Sequence, residues 1–140
     1  MHESRFEEAL DLICAKDIRY DREAYYFIRE ALDYTQEARA KDERAKASHV
    51  SGKELLEGIR DYCLRQFGPM TITVLEAWGI RSCEDFGEIV FNMVEARWLT
   101  KTKDDSRADF QGGYDFVEAF RNPYLPSSRL PRPETVASGS

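Results

Sequence analysis

Apolar residues return every three or four positions along most of this chain, the spacing of helices that cover one face. Phe6, Ala9, Leu10, Ile13 and Cys14 form the first stripe. Ser4-x-x-Glu7 has the form of a capping box, so the pattern predicts a helix over about residues 5–15. Asp17 to Tyr20 reads as a connector. Asp21 can cap a second helix, whose stripe is Ala24, Phe27, Ile28, Ala31, Leu32 and Thr35 and which runs to about residue 38 or beyond. Residues 36–47 carry no large apolar side chain, so they form either a solvated helix end or a flexible loop.

Ser51-x-x-Glu54 repeats the capping-box form ahead of Leu55, Ile59, Tyr62, Cys63 and Phe67. Gly68 and Pro69 then punctuate the chain, as a helix end followed by a fresh start requires. A short fourth helix over Met70 to Trp78 stops at Gly79, with Ile80 packing back on it. Ser82-x-x-Asp85 opens a fifth over residues 83–98. Its stripe of Phe86, Ile89, Val90, Met93, Val94 and Trp98 is the strongest periodic signal in the chain.

Past Leu99 the period fades. Residues 99–116 read as a minimal β-hairpin or an irregular loop, with turns at Asp104-Asp105-Ser106 and Gly112-Gly113. Asp115-x-x-Glu118 caps a last helix carrying Phe116, Val117 and Phe120. The expected fold class is therefore mainly α, a bundle of about six helices in one domain over residues 1–121. Four of the five prolines fall after Asn122, and residues 122–140 read as a Pro/Ser-rich disordered tail. Within it, Pro123-x-x-Pro126 has the form of a polyproline ligand, but such short motifs recur by chance in tails of this composition and a linker is the preferred reading.

Composition narrows the function classes. Hydrophobic residues make up 42% of the chain, enough for a core in a domain of this length. A net charge of −6 favours solubility and opposes non-specific attraction to nucleic acid or anionic membrane. Cys14, Cys63 and Cys83 are odd in number and lie in apolar stripes, which fits free thiols in a reducing compartment. The charged N-terminus has no apolar run of signal-peptide type, and no segment is apolar enough for a membrane span, so the expected location is the cytoplasm.

Candidate chemistry is sparse. His2 and His49 lie outside the helical stripes, and neither H-E-x-x-H nor a paired C-x-x-C occurs; two exposed or capping histidines are the simplest reading. Gly112-Gly113 lacks the following Lys-Ser or Lys-Thr of a phosphate loop. Asp104, Asp105 and Asp109 are dense enough to hold a hard cation. Their spacing is not that of an EF-hand, and Lys103 and Arg107 interleave them, so a solvated turn is preferred. No catalytic residue, metal ligand or cofactor-binding residue is assigned. The best interaction hint is Tyr20, Tyr25, Tyr26 and Tyr34, crowded onto the second helix and its start, with Tyr25 and Tyr34 off the main stripe and so candidates for exposure.

Residues 53–103 follow the order of a winged helix-turn-helix, which would send the helix at 83–98 into a DNA groove. That helix carries Glu84, Asp85, Glu88 and Glu95 against Arg97 alone, and phosphate would repel it. Three function classes remain in order. First is a protein-interaction module, whose partner is another protein or a second copy. Next is a winged-helix-like DNA regulator. Last is an enzyme that would need folding to bring His49 and Ser51 to the Asp104–Asp109 cluster.

Several stretches also resemble an uncharacterised bacterial family of similarly sized proteins with locus-tag style names and no assigned activity. They are Tyr20-Asp21-Arg22-Glu23-Ala24-Tyr25, the run from His49 to Arg60, Phe67-Gly68-Pro69, Trp78-Gly79-Ile80, the run from Glu84 to Asn92, and Gly112-Gly113-Tyr114-Asp115-Phe116. The likeness covers about residues 3–126. It implies a bacterial cytoplasmic protein and brings no catalytic residues with it.

Overall fold

Five α-helices and four short helical turns follow one another in the computed structural model, which describes residues 2–41 and 49–126. The helices are α1 (His2–Lys16), α2 (Arg22–Ala40), α3 (Gly52–Phe67), α4 (Thr71–Ala77) and α5 (Cys83–Glu95). Among the described residues there is no strand, and the fold is mainly α as the periodicity predicts. Residues 42–47 of the charged segment and 127–140 of the tail lie outside the described residues.

Local chemistry sets most of the boundaries. Asp21 caps α2 by accepting a hydrogen bond from the Glu23 N–H at 2.8 Å. Ser51 and Glu54 close the expected capping box on α3, at 3.1 Å and 2.9 Å. Ser4 caps nothing: α1 begins ahead of it, because no breaker precedes Ser4 and a serine inside a helix costs only a few tenths of a kcal/mol. The helix after Gly68 is also shorter than expected, since Gly68–Met70 winds as a 3₁₀ turn before α4 begins.

α5 stops three residues before the predicted end. Arg97 takes a left-handed φ of 65°, and the Trp98 N–H turns back to the Met93 carbonyl at 2.9 Å. Trp98 then tilts against Phe6 with ring centroids 4.9 Å apart, so its apolar face is used on α1 and not along α5. The stretch over 99–116 is irregular and not a hairpin. Its one regular piece is the 3₁₀ turn Arg107–Phe110, capped by Ser106 and Asp109. Interleaved Asp, Lys, Thr and Ser, with only Phe110 and Phe116 as buried aromatics, offer no alternating face for a strand to bury. The expected last helix is one π turn, Val117–Arg121, followed by a 3₁₀ turn at Asn122–Tyr124 where Pro123 lacks the N–H to continue.

The core gathers around α5, which packs against α1, α2, α3 and the 107–110 turn. Phe86, Ile89 and Met93 from α5 meet Phe6, Leu10, Ile28, Ile59, Leu75, Ile80 and Phe120, all essentially without solvent contact. Each such side chain contributes roughly 1.5–3 kcal/mol by leaving water. The closest helix crossing is α2 on α3. A Cβ on Gly58 would lie 1.7 Å from Thr35 Oγ1, so only glycine admits that approach. Gly79 serves the turn between α4 and α5 in another way, with φ of 89° and the Arg19 carbonyl where a Cβ would be.

Candidate functional site

A half-open cleft of about 150 Å³ lies where α2, the start of α3, α5 and the 99–110 segment meet. Its floor is apolar: Leu32 from α2, Leu55 from α3, Val90, Phe91 and Val94 from α5, and Phe110. Polar groups from two loops edge it: His49 and Ser51 ahead of α3, and Lys101, Asp105, Ser106 and Asp109 from the later segment. The floor exists because α5 carries apolar residues on a wider arc than its helical neighbours cover.

Two anchors hold the His49 loop. Arg39 of α2 donates to the His49 carbonyl and pairs with Glu54 at 3.2 Å. His49 Nε2 meets Asp105 Oδ2 at 2.8 Å, across 56 residues of sequence. Asp105 also accepts the Thr102 N–H at 2.8 Å. Burial raises the Asp105 carboxyl, but the hydrogen bonds from Thr102 and His49 outweigh it and hold the group below its ordinary value. Asp105 is thus ionised near neutral pH and can only accept, so Nε2 of His49 carries the proton.

The remaining rim groups serve the local backbone. Ser51 Oγ accepts the Glu54 N–H, Ser106 Oγ accepts the Ala108 N–H at 2.9 Å, and Asp109 accepts the Ser106 N–H at 3.3 Å. Lys101 Nζ reaches the carbonyls of Thr102 and Asp105 at 3.2 Å and 3.4 Å. His49 and Asp105 therefore stand as the base and the acid of a nucleophile–base–acid relay, and among the described residues no hydroxyl or thiol bonds to the His49 ring. Among the described residues no group of three or more His, Cys, Asp or Glu is placed to hold a metal ion.

The sequence-level candidates scatter. His49, Ser51, Asp105 and Asp109 do converge on the cleft, while Asp104 stays exposed in its turn. The His2 side chain lies outside the described residues. The four tyrosines do not form an exposed patch. Tyr20 is buried and donates to Asp85 at 2.5 Å. Tyr25, expected near the surface, is fully buried, because α1, the connector and α5 all close over that side of α2; burial pushes its hydroxyl up to about 12, against the opposing bond from Asn92. Tyr26 and Tyr34 are half-buried, turned to Glu7 and Asp61.

Behind the buried tyrosines runs a polar network that the sequence pattern did not reveal. Asn92 donates to Asp17 at 2.9 Å and to Tyr25 at 3.0 Å, and Arg19 bridges Asp17 and Glu88 at 2.7 Å and 3.1 Å. The Arg19 hydrogen bond, against the cost of burial and with help from Asn92, holds the Asp17 carboxyl well below the ordinary carboxylate range. This network joins the α1–α2 connector to α5, and Asp17 and Asn92 also line a second pocket of about 250 Å³ with Leu12, Ile13 and Ala96. The three cysteines are free thiols; burial pushes Cys83 up to about 11 and Cys63 higher still, which keeps both protonated.

No described helix is long and apolar enough to cross a membrane. Comparison with protein-family models, with curated proteins and with solved structures finds no match to this chain.

Proposed function

We propose that this protein is a helical interaction module that receives an apolar side chain of a partner protein in the cleft between α2, α3, α5 and the 99–110 segment. The observation that carries the reading is the pairing of an apolar floor with a rim of hydrogen-bonding groups in a pocket of about 150 Å³. Anchors that dominate protein interfaces sit in such pockets, ringed by polar contacts of little energetic weight. Tyr20 and Tyr25 are buried and so contribute no exposed face, while Tyr26 and Tyr34 are half-buried. Free thiols at Cys14, Cys63 and Cys83 fit a cytoplasmic setting.

The two competing classes have less support. A DNA regulator would need α5 free to enter a groove, yet Phe86, Ile89, Val90, Phe91 and Met93 bury it and its outward positions include Glu84 and Glu95. An enzyme acting through His49 would need a nucleophile beside the ring, and Ser51 is spent on its cap.

Replacing Val94 with Trp fills the cleft from its floor, because Val94 is half-buried there. Pull-down with the full chain should retain a partner that Val94→Trp loses, while circular dichroism and the thermal midpoint of the variant stay close to those of the parent. If the partner is a second copy, light scattering should show a dimer that the substitution abolishes. Identical sets of retained proteins, with an unchanged oligomeric state, would place binding elsewhere.

A further inference from the structure

We draw no further inference here: the strongest candidate, the exposed apolar patch of Met70, Val117, Tyr124 and Leu125 at the 3₁₀ turn after α3 and the closing helical turns, carries nothing, because nothing in the structure shows what covers it.

Discussion

At the residue scale, the polar groups inside this protein are held in pairs that fix their charge states. Asp17 shows this most clearly. Its carboxylate accepts from Arg19 and from Asn92, so its affinity for protons is lower folded than unfolded. A group with a depressed folded value stabilises the fold above its unfolded value of about 4, and that contribution fades as pH drops below it. Asp17→Asn should therefore cost about 1 kcal/mol near neutrality, a figure kept small because Arg19 is 54% exposed. Urea unfolding of parent and variant at a series of pH values checks this. The gap between them should hold from pH 7 to about pH 5 and narrow progressively as pH falls below about 4. A gap that is independent of pH would show that the Asp17 charge contributes nothing. The network was invisible in the sequence because its members, Asp17, Arg19, Tyr25 and Asn92, are brought together only by tertiary folding.

At the element scale, helices with caps and long stripes were the legible part. Ser51–Glu54 and Ser82–Asp85 mark starts that the fold uses, since both cap and stripe depend on residues within two turns. Endings were less legible. α5 runs out at Glu95 because Arg97 turns left-handed and Trp98 is drawn to Phe6, an attraction no local pattern contains. The segment over 99–116 went unread for a related reason: its shape is set by what it touches, with Phe110 seated against Gly87 and the Tyr114 hydroxyl donating to the Leu56 carbonyl at 2.8 Å. The α2–α3 crossing makes a sharp prediction. Alanine normally stabilises a helix relative to glycine by up to about 1 kcal/mol. At position 58 the new methyl would collide with Thr35, so Gly58→Ala should instead destabilise by about 1–3 kcal/mol. Thermal or urea denaturation gives the sign. Adding Thr35→Ala should recover part of the loss, and a stabilised Gly58→Ala would show that the two helices stand farther apart.

At the scale of the whole molecule, the cleft is where segments far apart in the chain come together. The pocket between α2, α3, α5 and the 99–110 segment leaves apolar side chains of α5 partly uncovered, and two distant loops meet over it through His49 and Asp105. Sequence spacing could name His49, Ser51 and the aspartates as residues that folding would have to unite. It could not say that they meet, because 56 residues separate the pair and no short motif spans them. Nor could it find the floor, since Val90 and Val94 read as ordinary core positions of a strong stripe. Tyr25 defied its pattern for the converse reason: a helix covered on three sides buries residues well off its main stripe.

The claim on which the rest stands is that this pocket is receptive to an apolar ring. Titrating benzene into the full chain, with ¹³C-labelled Leu and Val methyl groups observed by NMR, tests it most directly. Saturable shifts confined to Leu32, Leu55, Val90 and Val94 are the predicted result. Methyl signals that stay fixed, or that drift together across the molecule, would contradict it.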